Sequence, residues 1–306
     1  MTAMVAVNPT DEARHQSEAD PLWNESVYLD FFAPDGSLGG YIRMGLYPNL
    51  GVSWYWACLV GPDRQLVMVV ENHAPLPSGP GLELRTDGLW QDIVVETPLD
   101  HVSVGLEAFG VGLDDPAEAY TVDPVGALWG DRTPIGFELD WDTAGQPYGY
   151  PVTSRYEIPC RVHGEILVGD EVIDFEGFGQ RDHSWGVRDW WASEWMWLSG
   201  RFADGERMHA LDYGLGQFGV GYRQIGDGCD EVTSVAARPA LGAAQIPTGV
   251  GVSFDELELQ LAPIAWAPVL LTSPDGRLSR FPRAMVAMTD QNGRTGHGWV
   301  EFNQPQ

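Results

Sequence analysis

The sequence predicts an all-β protein, a sandwich or barrel, built in two strand-rich halves. Three observations carry this. Short apolar or alternating runs recur about every ten residues with turn residues between them. The 37 glycines and 22 prolines fall mainly in those gaps. Almost no segment has helical periodicity.

The elements can be taken in order. Residues 1–21 are polar and poorly patterned and read as a flexible lead-in. Strands are expected over Val27 to Phe32, Gly40 to Leu46, Val52 to Val60 and Gln65 to Glu71, each closed by a turn such as Pro34-Asp-Gly or Gly61-Pro-Asp. In the third run Trp54 and Trp56 share a face, because side chains alternate along a strand. Asp115-Pro-Ala-Glu-Ala-Tyr is a short helical start, with Asp115 as cap and Pro116 in the first turn. Arg161 to Val168 and Glu171 to Phe175 form a hairpin about Gly169-Asp170. Further strands are expected over Glu194 to Phe202, Glu206 to Gly214, Phe218 to Ile225, Val232 to Ala237, Phe254 to Ala262, Arg283 to Met288 and Thr295 to Phe302. In Glu256-Leu-Glu-Leu-Gln-Leu261 the leucines point one way and the polar residues the other. The domains are expected at 22–175 and 176–306.

Composition narrows the function. The 306 residues are 44% hydrophobic, enough for a substantial core. There are 44 acidic residues against 17 basic, and all 17 are arginine. Without lysine, Schiff-base chemistry and the lysine-bearing phosphate loop are excluded. A net charge of −27 argues against nucleic acid or an anionic membrane as partner. No apolar run is long enough to span a bilayer, and the start lacks the pattern of a secretory signal. Cys58, Cys160 and Cys229 are odd in number and far apart, which fits free thiols in a reducing cytoplasm. No histidine spacing asks for a metal, and nothing asks for an organic cofactor.

The chemistry concentrates in Glu176-Gly-Phe-Gly-Gln-Arg-Asp-His-Ser-Trp-Gly-Val-Arg-Asp-Trp-Trp191. Gly177 and Gly179 allow close backbone approach, and Gly186 is a further permissive point. Asp182 is the leading catalytic candidate: a carboxyl walled by indoles is desolvated and keeps its proton near neutral pH. Against that, Arg181 or Arg188 could pair with it as a structural strut. His183 follows Asp182 and so faces the other side of a strand. Trp185, Trp190, Trp195 and Trp197, with Trp54 and Trp56, are candidate walls for an apolar pocket that would steady a carbocation. Arg181, His183 and His209 are candidates for tuning the acid or placing water. Together these parts suit protonation of a carbon–carbon double bond followed by addition of water.

The run Gly177 to Trp190 resembles the signature of the hydroxyneurosporene synthase and carotenoid hydratase superfamily, and within it uncharacterised actinobacterial members similar to kievitone hydratase. Supporting stretches are Gly130-Asp-Arg-Thr-Pro-Ile-Gly-Phe137, Tyr156-Glu-Ile-Pro159 and Gly296-His-Gly-Trp-Val-Glu301. The resemblance implies two lipocalin-like antiparallel β-barrels in tandem, an apolar pocket near their junction, and Asp182 as proton donor. Arg181 and Ser184 depart from the hydratase pattern, which leaves the substrate open. The reading is a cofactor-independent hydratase acting on a small lipophilic substrate such as an isoprenoid, steroid or prenylated phenol. A cyclase or isomerase using the same acid, and a lipocalin-like carrier without chemistry, are the alternatives.

Overall fold

A computed structural model describes residues 5–122 and 125–306. The first antiparallel sheet has eleven strands: β1 Trp23–Phe32, β2 Gly39–Tyr47, β3 Val52–Gly61, β4 Arg64–Ala74, β5 Leu84–Thr86, β6 Leu89–Thr97, β7 His101–Leu113, β8 Asp131–Thr143, β9 Tyr148–Gly149, β10 Arg155–Val168 and β11 Glu171–Val187. The order is β4-β3-β2-β1-β11-β10-β8-β7-β6-β5, with β9 on β10, and β4 pairs with β7 to close the curl.

The second sheet also has eleven: β12 Trp195–Phe202, β13 Arg207–Tyr213, β14 Phe218–Ile225, β15 Gly228–Val232, β16 Val235–Leu241, β17 Pro247–Phe254, β18 Leu257–Trp266, β19 Val269–Thr272, β20 Leu278–Phe281, β21 Arg283–Asp290 and β22 Thr295–Pro305. Its main path is β15-β14-β13-β12-β22-β21-β18-β17-β16, and β20 joins β19 to β22. These are the two tandem lipocalin-like barrels that the sequence implied. Among the described residues no helix is long and apolar enough to cross a membrane.

Alternation explains why β1, β2, β3, β12 and β22 are buried along nearly their whole length. Leu29 and Phe31 of β1 enter the core of the first barrel, whereas Tyr28 and Phe32 face the second sheet. Met196 and Leu198 of β12, with Val300 and Phe302 of β22, fill the second barrel. Trp197 and Trp299 face back across the seam. The apolar seam between the barrels is therefore a third core.

Several expectations need correction. Residues 1–21 do not trail free where they are described. Val5 bridges to Gly149, Pro9–Glu12 form a 3-10 turn, and the Glu12 carboxylate accepts from Arg181 Nη1 at 2.7 Å and Leu99 N at 3.1 Å. Polarity there reflects salt links to the barrel, which composition alone does not reveal. The expected boundary at 175/176 falls inside β11, which runs unbroken through it and pairs with β1 and β10. The Arg181-Asp-His motif thus belongs to the first sheet, and the chain crosses to the second between Val187 and Trp195. The run Val232 to Ala237 is split between β15 and β16, and Phe254 ends β17 because Asp255, at φ 50°, turns the chain into β18. The short turn at Asp115 forms as expected, its carboxylate capping Ala117 N at 2.9 Å.

Candidate active site

A cavity of about 300 Å³ lies in the seam between the barrels. Its walls follow from strand register, since directly paired residues point the same way. Across the first sheet one such row runs Glu157, Asp182, Tyr28, Arg43, Trp56. The adjacent row runs Arg155, Ser184, Ser26, Gly45, Trp54. The second sheet answers with Leu211, Trp197, Glu301, Arg283. The crossing segment adds Arg188, Asp189, Trp190 and Ser193 along the rim.

Asp182 and Glu157 are cross-strand neighbours served by one guanidinium. Arg155 gives Nε to Glu157 Oε1 at 2.7 Å and Nη2 to Asp182 Oδ2 at 2.7 Å. One cation cannot fully compensate two buried carboxylates, so their proton affinities separate. Glu157 is wholly buried, but it also accepts from Trp197 Nε1 at 3.0 Å and Gln180 Nε2 at 3.0 Å. Burial pushes its pKa up, but the Arg155 guanidinium and those two donors hold it below the ordinary range. Asp182 has no such set of donors. Burial raises its pKa to about 7, against the pull of Arg155 and Arg43 and with the help of Glu157 and Glu301.

His209 sits behind Trp197 and outside the cavity lining, at 5.4 Å between rings. Its Nδ1 donates to Leu198 O at 3.0 Å, so Nε2 accepts the Tyr150 hydroxyl at 2.5 Å. Burial brings its pKa down to about 4, so the ring is neutral and Tyr150, a lining residue, is held by it. On the facing wall Arg283 pairs with Glu301, and the guanidinium lies 4.6 Å from the ring of Tyr41 and 5.1 Å from that of Tyr28. Burial raises the Glu301 carboxyl, with Arg283 pulling against it.

Of the residues singled out by sequence, Asp182, Trp190, Trp195 and Trp197 line the cavity. Trp54 and Trp56 stand one layer back, 6.4 and 6.0 Å from Trp190. Arg181 and His183 alternate to the other face of β11, into the first barrel. Arg181 bonds Glu12, and His183 Nε2 lies 3.0 Å from Glu25. Trp185 goes with them, stacked 3.7 Å from His15. The strut partner of Asp182 is Arg155, neither Arg181 nor Arg188. His15, Glu25 and His183 have ligand atoms within 4.8 Å of one another and could hold a metal ion, a grouping that sequence spacing did not suggest.

Sequence reasoning missed Arg155, Glu157, Tyr150, Arg43 and Arg283. A signal existed for two of them, because Glu157 lies in one of the stretches that supported the resemblance, Tyr156 to Pro159, and Arg155 immediately precedes it. An arginine at position 43, inside the otherwise apolar run Gly39 to Tyr47, was another.

Solved structures share this architecture. An AttH protein (NE1406) of Nitrosomonas europaea superposes with TM-score 0.66 at 16% identity, over 99% of this chain and 98% of that one. Kievitone hydratase of Nectria haematococca superposes with TM-score 0.61 at 10% identity, over 99% and 94%. CghA, solved with Sch210972, gives 0.58 at 12%, over 94% and 89%. The likeness to hydratase-type tandem barrels, inferred from the motif, is thus present in the fold. None of the curated proteins matches the sequence. The family model described as "Domain of unknown function (DUF7064)" matches residues 8–306, so the chain belongs to that family.

Proposed function

We propose that this protein is an acid catalyst acting on a small, largely apolar alkene, and that its reaction is hydration. The separation of Asp182 from Glu157 carries the reading. Two adjacent carboxyls with proton affinities driven apart, one ionised and one protonated near neutrality, are what acid–base work requires. Asp182 gives its proton to one alkene carbon, the neighbouring carbon becomes cationic, and water adds to it. The proton lost by that water returns to the Asp182 carboxylate, so the acid is regenerated and the net change is one water added. Trp190, Trp195 and Trp197 supply π-faces near the cation, worth up to about 2 kcal/mol each when desolvated. A fold shared with kievitone hydratase supports the same reading.

A cyclase or isomerase would use the same acid, with an internal nucleophile or second double bond capturing the cation; aromatic walls that limit access of water favour it. The carrier alternative draws on the Arg155–Asp182 ion pair, which would serve as a strut if Asp182 stays ionised.

The test is to incubate the purified protein and its Asp182→Asn variant with a panel of lipophilic alkenes in oxygen-labelled water. Label in a product of the native protein alone is the expected result. A product of unchanged mass would move the reading to cyclase or isomerase. A folded Asp182→Asn variant that still turned over would remove Asp182 as the acid, and ligands bound but unchanged by either protein would leave a carrier.

A further inference from the structure

Two hydroxyls beside Asp182 open onto the cavity. Ser26 of β1 and Ser184 of β11 are direct cross-strand partners, each 5% exposed, and both line it. Among the described residues neither Oγ makes a hydrogen bond, and neither is sealed off as the unbonded Oγ of Ser53 is. Two other buried serines have partners: Ser199 Oγ donates to Asp30 Oδ2 at 2.9 Å, and Ser279 Oγ to Asn303 Oδ1 at 2.6 Å. A hydroxyl that finds no partner in the protein and faces a cavity is served by water or by a ligand.

Their place relative to the acid follows from the strands. Ser184 lies two residues beyond Asp182 on the same face of β11, about 7 Å along, and Ser26 stands next to it across the ladder. That span admits one water hydrogen-bonded at each end. Asp182 Oδ2 is taken by Arg155 Nη2 at 2.7 Å, whereas Oδ1 has no bond among the described residues and is free to carry the proton. The facing wall offers Trp197 and Leu211, and its one carboxylate, Glu301, is engaged by Arg283.

We propose that Ser26 and Ser184 hold the attacking water, on the same wall of the cavity as Asp182, so that hydration is a syn addition. The proposal rests on the hydratase reading and adds to it a place for the water and a stereochemical outcome. A hydroxyl both gives and accepts a hydrogen bond. The water therefore gives one hydrogen to one serine Oγ, takes one from the other, and turns its second hydrogen to Asp182. One lone pair is left for the cation. The π pair of the alkene takes the proton from Asp182 Oδ1, the lone pair forms the carbon–oxygen bond, and the water's proton passes to the carboxylate. Both new bonds form on the face of the alkene that lies against β1 and β11. A fixed water is also what separates a hydratase from a cyclase using the same acid, because capture then outruns rearrangement of the cation.

The test incubates the full chain in deuterium oxide enriched in oxygen-18 with a panel of trisubstituted alkenes led by 1-phenylcyclohexene. Deuterium in alkene or alcohol reports protonation, and heavy oxygen in the alcohol reports capture of water. The native protein is expected to place deuterium and hydroxyl on the same face of the ring. Ser26→Ala and Ser184→Ala should each lower the ratio of labelled alcohol to deuterated alkene about tenfold, the loss of one or two hydrogen bonds to the water. Ser184→Thr, which keeps the hydroxyl, should restore most of that ratio. Anti addition would put the water on the facing wall, and a mixture of both faces would show that no site holds it; either result overturns the proposal while leaving the hydratase in place. So would an unchanged ratio in both alanine variants. The stereochemistry of the native product decides the matter even if a variant does not fold. Absence of deuterium from every alkene of the panel would remove the hydratase reading and this water site with it.

Discussion

Glu157 and Asp182 stand directly opposite each other on β10 and β11, and Arg155 bonds to both. Like charges in that position repel, so the ladder gains stability when one partner gives up its charge. The extra donors on Glu157 decide which one.

That asymmetry predicts a pH-dependent stability. The folded Asp182 carboxyl keeps its proton to about pH 7, whereas an unburied aspartate releases it near 3.8. Between those values the folded state binds more protons than the unfolded one, so this residue's contribution is present at low pH and is lost as pH rises. Asp182→Asn has no such slope. Its thermal midpoint relative to the native protein should therefore climb between about pH 4 and pH 7 and then level off. Asp30, whose burial raises it to about 8, tilts both proteins alike and cancels in the comparison. A difference independent of pH would contradict the protonation state assigned to Asp182.

Activity should follow the same proton. For the native protein kcat/KM is expected to fall above about pH 7, as the free acid is lost. Glu157→Gln removes a neighbouring negative charge and leaves Arg155 to Asp182 alone. Both changes lower the pKa of Asp182, so the falling limb should move to lower pH and the rate at neutrality should drop. An unmoved limb would show that Glu157 does not tune the acid.

His209 and Tyr150 can be separated by a double-mutant cycle. His209→Leu removes the shorter hydrogen bond of the buried Tyr150 hydroxyl, leaving only the 3.4 Å contact to Glu157 Oε1, and should cost about 1–3 kcal/mol in urea unfolding. Adding Tyr150→Phe should cost little more, because both members of the bond are then gone. Strictly additive losses would show that the bond contributes nothing.

Gly179→Ala should destabilise the protein by about 1–3 kcal/mol without touching the cavity. Its Cβ would collide with the Asp30 carbonyl of β1, so the β1–β11 ladder would have to part. Thermal denaturation checks this, and an unchanged midpoint would show that the strands can shift.

Most of the strand grammar was legible, because alternation and turn residues are local properties. Leu257, Leu259 and Leu261 are buried while Glu258 and Gln260 face water, as their spacing required. The position of Asp182 among Trp190, Trp195 and Trp197 was also legible, since all four lie within one short stretch. Its partners were not. Arg155 reaches Asp182 through strand register, Arg43 through a second strand on the other side, and Glu301 through another sheet. Pairing partners are chosen by topology, and no spacing within the motif encodes them. Alternation did place His183 opposite Asp182; the same rule, applied to Arg181 and Trp185, removes them from the cavity as well.

The cavity belongs to neither barrel, and this makes the acidity of Asp182 a property of the finished molecule. While the second sheet is unformed, Trp197 and Glu301 are missing from the opposite wall and water reaches the carboxyl, so the burial that raises its pKa is lost while Arg155 and Arg43 still pull it down. In a half-assembled chain the carboxyl therefore lacks the desolvation that raises its proton affinity, which arrives only with the closing of the seam.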